Sequence, residues 1–468
     1  MSDLISKGVV ALRADMAAGK LNAAELMQET LNQIAAVNPK VNAIVSLRDA
    51  VTLMAEARAA DQAEAQGPLH GIPVAIKDLA NAAGLPTTMG SPIFKDQVAA
   101  RDDIMVARMR AAGAIIIGKT NTPEFGLGSH TFNPVHGATG NAYDPARSAG
   151  GSSGGAAVAL ATSMLSMADG SDMMGSLRNP AAWNNVYGMR PTWGLVPSEP
   201  VGDTFLHQLA TNGPMGRSPA DIALLLGVQA GGDPRQPHGL DAGEYSGVAD
   251  LKGKRIGWLG DWGGAYPMEP GILDTCQTAL ATLAELGCEV ESVALPFAAD
   301  QIWQSWIDLR SWAVAGGAGA LLANPDTAAL LKPAAIWEIE RGLALSAMDV
   351  HRASVIRSQW FAKAAALFDQ FDALVLPSAQ MWPFPVEWIS PQQINDVNMD
   401  TYHRWMEVVI PISLLGLPCL NIPAGFGDNG LPMGLQLFGK RGADAALLQM
   451  GQAWHLATDW PAKRPPVL

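Results

Sequence analysis

The sequence predicts an α/β protein with a mostly parallel sheet, and three observations support this. Short β-rich runs at residues 74–76 and 114–117 are bounded by glycines, as buried strands commonly are. Helical patterns separate such runs along the whole chain, and this alternation is typical of α/β folds. No linker, repeat or low-complexity tract divides the 468 residues. One large domain is therefore expected rather than several small ones.

The individual elements follow from local patterns. Asn22 and Glu25 have the spacing of a capping box, and apolar residues at helical spacing follow until Asn38-Pro39. Residues 1–66 are therefore predicted to form a helical N-terminal layer. Helices are also predicted at 103–112, 155–165 and 272–286, and strands at 74–76, 114–117, 254–259, 288–293, 371–377, 420–422 and 434–438.

Composition and charge argue against several classes of protein. The chain has 31 basic and 44 acidic residues, and its net charge of −13 disfavours a surface for nucleic acid. Three cysteines without CxxC pairing fit a reducing compartment. Of the two long uncharged stretches, 148–168 begins with small polar residues and 408–427 contains three prolines, so neither is expected to span a membrane. We expect a cytoplasmic protein without a membrane or nucleic-acid partner.

Residues 113–120, Gly-Ala-Ile-Ile-Ile-Gly-Lys-Thr, match the phosphate-binding-loop pattern GxxxxGK[ST]. That pattern needs a flexible loop between a strand and a helix. Here the four intervening residues favour a strand themselves, and Asn121-Thr122-Pro123 interrupts a helix instead of starting one. The segment is therefore interpreted as a strand.

Residues 150–155, Gly-Gly-Ser-Ser-Gly-Gly, satisfy the GxSxG pattern of the α/β-hydrolase nucleophile elbow in two registers. An elbow requires a strand directly before the serine, whereas residues 141–148 predict a loop. No later histidine stands in a recognisable context. These two features disfavour the elbow.

A third pattern extends over much more of the chain. Lys77 ends an apolar run, Ser152 and Ser153 lie in the glycine-rich loop, and residues 170–180 have the sequence GSDMMGSLRNP. The pattern also includes the segments GKTNTPE at 118–124, GPMGR at 213–217 and GLPMGLQ at 430–436. Together these segments resemble the amidase signature family, whose hydrolases use a Ser–Ser–Lys triad. The resemblance covers most of residues 1–245 and 370–440.

This resemblance implies a single α/β/α domain around a large mixed sheet, and hydrolysis of a carboxylic amide without a metal or other cofactor. The histidines and cysteines also lack the spacing of metal ligands. Within the domain we expect a catalytic signature region at 67–245, a variable substrate-lining region at 246–405, and C-terminal core strands and a tail at 406–468. Homodimers are common in the family, and a homodimer is one expectation here.

Carried over by position, the nucleophile is Ser176, the bridging serine is Ser152 and the base is Lys77. Lysine accepts a proton only when neutral, and burial lowers its pKa from a reference value of about 10.4. The implied relay takes the proton of Ser176 through Ser152 to Lys77, and returns it to the leaving amine. The resemblance also implies a cis peptide bond before Ser152.

The backbone N–H groups of Met173, Met174, Gly175 and Ser176 are the implied donors of an oxyanion hole. The family generally has two glycines before the nucleophile, whereas this chain has Met174-Gly175. If the position requires a positive φ, Met174 is strained. Alternatively, its side chain reshapes the acyl pocket.

Three further residues are interpreted as structural support: Ser153 as a hydroxyl that bonds the loop, and Asp172 with Arg178 as a charged pair that holds the oxyanion loop. The resemblance places Gly126, Leu127, Gly128 and Ser129 at the border of the acyl site.

Ten of the fourteen tryptophans lie between residues 258 and 405. They form either core contacts or the wall of a pocket for an apolar or aromatic substrate. The second interpretation favours aryl, alkyl or cyclic amides.

Two alternatives to an amidase remain open. The same fold forms the glutaminase component of glutamyl-tRNA amidotransferase, which feeds ammonia to a partner chain. A glutaminase must hold a zwitterionic head group with paired charges, whereas the variable stretch is apolar and rich in tryptophan. A non-catalytic, ligand-binding member is the other alternative, and the intact triad argues against it.

Overall fold

The computed structural model describes residues 4–468. Its α-helices are α1 (Val9–Ala17), α2 (Ala23–Val41), α3 (Ala50–Gln62), α4 (Ile104–Ala111), α5 (Gly154–Ala161), α6 (Arg178–Trp183), α7 (Pro219–Gln229), α8 (Ile272–Glu285), α9 (Ala299–Ala323), α10 (Pro325–Ala328), α11 (Pro333–Leu343), α12 (Ala347–Leu367), α13 (Ile410–Leu415), α14 (Asp444–Thr458) and α15 (Trp460–Lys463). Its strands are β1 (Ile44–Val45), β2 (Pro73–Lys77), β3 (Ile115–Thr120), β4 (Phe132–Asn133), β5 (Gly137–Ala138), β6 (Met167–Asp172), β7 (Tyr187–Arg190), β8 (Thr211–Gly216), β9 (Arg255–Trp258), β10 (Glu289–Ser292), β11 (Ala373–Pro377), β12 (Gln393–Ile394), β13 (Val397–Asn398), β14 (Cys419–Phe426) and β15 (Pro432–Phe438). Short 3-10 helices lie at Pro92–Phe94, Glu124–Gly126 and Arg404–Val409.

An eight-stranded sheet in the order β10-β9-β11-β15-β14-β7-β8-β6 forms the centre of the described chain. β9 pairs in parallel with β10 and β11, whereas the other five pairings are antiparallel. The α/β class and the large mixed sheet are thus confirmed, but the expectation of a mostly parallel sheet is wrong. A strand buried on both faces carries a continuous apolar run in either direction, so the sequence pattern does not report its direction.

A smaller sheet in the order β1-β3-β2 carries the first catalytic candidate. β2 and β3 run parallel, with Lys77 opposite Thr120, and α4 lies between them in the chain. Lys119 and Thr120 belong to this strand and not to a phosphate-binding loop, although the strand predicted from sequence ended at residue 117. β2 also packs against β6 of the large sheet, which brings Lys77 to the start of the loop after β6.

Most predicted elements lie within a few residues of their observed bounds. The capping box of Asn22 and Glu25 begins α2, but this helix continues through Pro39 to Val41. Asn42, with a φ of +51°, ends it in the left-handed conformation. β6, β7 and β8 were not predicted from sequence, because their glycine, aspartate, proline and arginine residues weaken the β signal.

The helices of the variable region contribute both core and site. α9 packs against α11 and α12, and tryptophans such as Trp306 and Trp360 are completely buried. Trp183 and Trp405 stack with their ring centroids 5.6 Å apart. These four tryptophans therefore belong to the core, whereas Trp388 is exposed. Within residues 4–468, no helix combines the length and apolar composition needed to cross a bilayer.

Candidate active site

Lys77 is the last residue of β2, and its side chain is buried among three serines. Its Nζ lies 2.7 Å from Oγ of Ser152 and 2.8 Å from Oγ of Ser153. Oγ of Ser171 is 3.1 Å from the same nitrogen. Burial lowers the pKa of Lys77 to about 7, although the charge of Asp169 opposes the shift. A lysine with this pKa is largely a free amine just above neutrality and can accept a proton.

Ser152 lies in the loop before α5, and the Gly151–Ser152 peptide bond is cis. Oγ of Ser129 donates to the carbonyl of Gly151 at 2.5 Å. Within the described chain no strand directly precedes Ser152, so the loop lacks the geometry of a nucleophile elbow. The loop also contacts the segment of Ser176, because the backbone N–H of Ser153 donates to the carbonyl of Ser176 at 3.2 Å.

Ser176 lies in the turn between β6 and α6, at the wall of a cavity of about 340 Å³. Ser152 lines the same cavity, whereas Lys77 lies behind it. The Ser176 hydroxyl forms no hydrogen bond with another residue of the described chain, so it is free to meet a ligand. The three predicted triad members therefore converge on one cavity, with the lysine on the buried side and both serines on its surface.

The turn before Ser176 has its positive φ, +77°, at Gly175 and not at Met174. Met174 is therefore not strained, and its side chain lines the cavity instead. A Cβ at Gly175 would lie only 2.9 Å from Cγ1 of Val409, so glycine is required there for space as well as for φ.

The structure differs from the predicted oxyanion hole at one position. The N–H of Gly175 donates to Oδ1 of Asp172 at 2.9 Å and is not available to a substrate. The N–H groups of Met173, Met174 and Ser176 have no hydrogen-bond partner within residues 4–468. Three donors therefore remain around the nucleophile.

Asp172 and Arg178 form a buried charged pair at the base of this turn. Nε of Arg178 donates to Oδ2 of Asp172 at 3.0 Å, and Arg190 donates from Nη1 to Oδ1 at 3.0 Å. Burial opposes ionisation of Asp172, but the two guanidinium groups hold the pKa of its carboxyl well below the usual range. The carboxylate also accepts from the N–H groups of Gly175 and Leu177, and so ties the turn to two arginines.

The cavity is apolar apart from its serines and one arginine. Gly126, Leu127 and Gly128 line it as predicted, but Ser129 does not. The side chain of Ser129 bonds the Gly151 carbonyl instead, because it points into the loop before Ser152. No tryptophan of the described chain lines the cavity, although the tryptophan-rich stretch contributes other residues to it, such as Val314 and Ala335. The larger apolar contacts come from Leu79, Met89, Phe125, Met173, Met174, Val314, Ala318, Ala335 and Met406.

Three charged residues near the site were missed in the sequence. Asp169 accepts a hydrogen bond from the backbone N–H of Lys77, Arg190 binds Asp172, and Arg310 lines the cavity. Asp169 and Arg190 lie in strands with a weak β signal, and no spacing marks them. Arg310 could have been noticed as a single cation in the apolar segment IWQSWIDLRSW.

Fold and site together are those of an enzyme of the α/β class that cleaves amide bonds, and comparisons with known proteins agree. The sequence profile of the amidase family matches residues 25–448. The chain therefore belongs to the amidase family. It is a hydrolase acting on carbon–nitrogen bonds other than peptide bonds.

Individual relatives span the whole chain. An acylamidase from Rhodococcus erythropolis is 33% identical over 97% of this chain and 96% of its own. A glutamyl-tRNA(Gln) amidotransferase subunit from Chloroflexus aurantiacus is 34% identical over 99% of both chains. Among solved structures, a bacterial aryl acylamidase of the amidase signature enzymes aligns with a TM-score of 0.91 and 28% identity, covering 99% of this chain and 100% of that chain.

Proposed function

We propose that this protein hydrolyses an apolar carboxylic amide through an acyl-enzyme on Ser176, with Ser152 and Lys77 as the proton relay. The observation that carries the proposal is the contact of 2.7 Å between the buried Nζ of Lys77 and Oγ of Ser152, beside the cavity that Ser176 also lines. A serine hydroxyl is a weak nucleophile until a base takes its proton. The burial of Lys77 and its short contact with Ser152 support this lysine as that base.

The reaction begins with neutral Lys77 accepting the proton of Ser152, while Ser152 accepts the proton of Ser176. Oγ of Ser176 then bonds to the amide carbonyl carbon, and the carbonyl oxygen gains negative charge. The free N–H groups of Met173, Met174 and Ser176 are the donors that stabilise this oxyanion. Removing one such donor typically lowers kcat by about a hundredfold or more.

Collapse of this intermediate breaks the carbon–nitrogen bond. Lys77 returns the proton through Ser152 to the departing amine, so the amine leaves neutral and the lysine is again a base. Water then attacks the acyl-enzyme by the same relay and releases the carboxylic acid. The first product is therefore an amine and the second an acid, and each turnover restores the starting protonation state.

The cavity lining supports an aryl or alkyl amide as substrate. Methionine, leucine, valine and alanine side chains cover most of the wall, and the names of the acylamidase and aryl acylamidase relatives agree with this class. A panel of anilides, alkyl amides, glutamine and asparagine amides tests it. We expect hydrolysis of the apolar members and its loss in Ser176→Ala. Turnover of glutamine or asparagine alone would contradict the substrate class.

The glutaminase of an amidotransferase is the second candidate, since the amidotransferase relative from Chloroflexus aurantiacus matches this chain over its full length. A glutaminase must bind both an α-ammonium and an α-carboxylate. Among the described residues that line the cavity, Arg310 is the one charged side chain, and it is already paired with Glu338. This pairing argues against a zwitterionic substrate. Glutamine turnover that requires a co-purified partner would favour the glutaminase.

Cytoplasmic location and a homodimer are further proposals. Cys276, Cys288 and Cys419 are all free and buried, which supports a reducing compartment. We expect three titratable thiols after denaturation of protein purified without reductant. Sedimentation of the purified chain tests the homodimer.

A further inference from the structure

Arg310 is the feature of the cavity that an apolar substrate leaves unused. It projects from α9 into the cavity wall, and only 3% of its surface is exposed. Nε donates to Oε1 of Glu338 at 2.6 Å, and Nη2 donates to the hydroxyl of Tyr402 at 2.8 Å. Tyr402 in turn donates to the same carboxylate oxygen at 2.9 Å. The guanidinium is therefore fixed in one orientation before a substrate binds.

Its remaining terminal nitrogen lacks a strong partner. Nη1 contacts Sδ of Met173 at 3.5 Å, and a thioether sulfur is a weak acceptor. A buried charged donor without an oxygen partner is unfavourable unless a ligand supplies one. Met173 is three residues before Ser176 and is a proposed oxyanion donor. Arg310, Met173 and Ser176 line the same cavity, so Nη1 is placed to meet a substrate bound there.

The charge of Arg310 is already neutralised. The Arg310 and Glu338 side chains are both buried, and the guanidinium holds the pKa of Glu338 at about 2 against the effect of burial. Ser311 donates a further hydrogen bond to Oε2 of Glu338 at 2.8 Å, which also favours the carboxylate. A substrate anion at Nη1 would therefore bring an uncompensated negative charge into an apolar cavity.

We propose that Arg310 determines specificity by donating a hydrogen bond from Nη1 to a neutral oxygen acceptor of the substrate, in addition to the scissile carbonyl. The preferred substrates are then largely apolar amides with a second carbonyl or a similar uncharged oxygen near the bond that breaks. This inference rests on the proposed amide hydrolysis and narrows its substrate class.

The experiment uses two series of three anilides each. Within a series the compounds share one skeleton and differ in a single group, which is an acetyl, an isopropyl or a carboxylate. This group is on the acyl chain in the first series and on the aromatic amine in the second. For the wild-type enzyme we expect kcat/KM for the acetyl compound to exceed that for the isopropyl compound by roughly ten- to a hundredfold in one series. Arg310→Met should reduce this ratio to near one, mainly by slowing the acetyl compound.

Three further variants complete the test. Arg310→Met leaves the Glu338 carboxylate unpaired, so Arg310→Met with Glu338→Gln removes both charges if the single variant does not fold. Arg341→Met is the matched control, because Arg341 also links α11 to α9 through Asp308 but does not line the cavity. It should leave the acetyl-to-isopropyl ratio unchanged. Glu338→Gln should raise the relative rate of the carboxylate compound, since Arg310 then carries an uncompensated charge.

The outcomes separate this inference from the proposed function. A ratio that stays high in the Arg310 variants, or a wild-type preference for the carboxylate compound, overturns the role of Arg310 alone. Equal wild-type kcat/KM values for the acetyl and isopropyl compounds in both series would also overturn the role of Arg310. Hydrolysis of the isopropyl compound that Ser176→Ala abolishes still supports the amidase. If no compound in either series is hydrolysed and Ser176 is not labelled by a fluorophosphonate, both proposals fail.

Discussion

The backbone N–H of Lys77 donates a hydrogen bond to Oδ1 of Asp169 at 3.0 Å, which places a buried carboxylate beside the proposed base. Burial lowers the pKa of Lys77 to about 7, and the negative charge of Asp169 limits that decrease. Burial likewise raises the pKa of Asp169 to about 6. The pair therefore determines the pH range in which the proposed base becomes neutral.

The pH dependence of the reaction follows from this pair. We expect kcat/KM to rise through about pH 7 as Lys77 loses its proton, and then to level off. Asp169→Asn should move this limb to lower pH, because it removes a charge that favours the ammonium form while keeping an acceptor for the Lys77 N–H. The measurement is a pH profile of kcat/KM with one anilide. Asp369→Asn, at an exposed aspartate, is the control, and an unmoved limb in Asp169→Asn would contradict the role of Asp169.

The triad should behave as a unit. We expect kcat to fall by roughly ten-thousandfold in each of the single variants Ser176→Ala, Ser152→Ala and Lys77→Met. The triple variant should have a kcat only slightly lower than that of one single variant. A fluorophosphonate should label Ser176 in the wild type, and more slowly in Lys77→Met. Ser166→Ala, a buried serine outside the cavity, should retain activity and labelling. An adduct on Ser153 that Lys77→Met leaves unchanged would refute the relay.

The same lysine should make the fold less stable. Between about pH 7 and its unfolded value of 10.5, Lys77 binds a proton in the unfolded chain but not in the folded one. Stability therefore rises with pH through this window, and the full cost of burying the charge is present below it. Lys77→Met should raise the free energy of unfolding by on the order of a few kcal/mol at neutral pH and by less at high pH. Urea denaturation at both pH values measures this, and an equal gain at both would show that titration is not the cause.

Gly175 should tolerate no side chain. Gly175→Ala meets Val409 at 2.9 Å and adopts a φ of +77°, so we expect loss of both activity and stability. Gly442→Ala is the matched control, since Gly442 has a φ of +82° and no atom lies near its added Cβ. This variant should lower the free energy of unfolding by about 1 kcal/mol. Val409→Ala in combination with Gly175→Ala should restore part of the activity. No restoration would mean that the backbone conformation alone excludes alanine.

Met174 should influence acyl-group size. Its side chain lines the cavity and its backbone is unstrained, so Met174→Ala enlarges the acyl site without relieving strain. We expect kcat/KM to rise for bulky acyl anilides relative to acetanilide, with a loss of stability of about 2 kcal/mol from the lost contacts. Met348→Ala, at an exposed methionine, should change neither. If the ratio of kcat/KM between bulky acyl anilides and acetanilide does not change, Met174 does not contact the acyl group.

Much of the fold and the core of the candidate site could be predicted from sequence. Lys77 ends a short apolar strand, and Ser152 and Ser176 lie in glycine-containing segments, but their roles came from the resemblance of these segments to the amidase signature family. The start of α2 could also be predicted, because the capping box of Asn22 is a local signal. Strand direction could not be predicted, because two equally apolar strands can pair in parallel or antiparallel.

The reactive groups and the elements that carry them could be inferred from sequence, because each lies in a short segment that resembles the corresponding segment of the family. The charges that surround those groups could not be inferred, because they depend on tertiary packing. Asp169 is 92 positions from Lys77, and Arg310 is 137 positions from Met173. Such partners meet only when sheets and helices pack, and burial then shifts their pKa values by removing water. The base strength of Lys77 and the fixed donor of Arg310 are therefore properties of the packed fold.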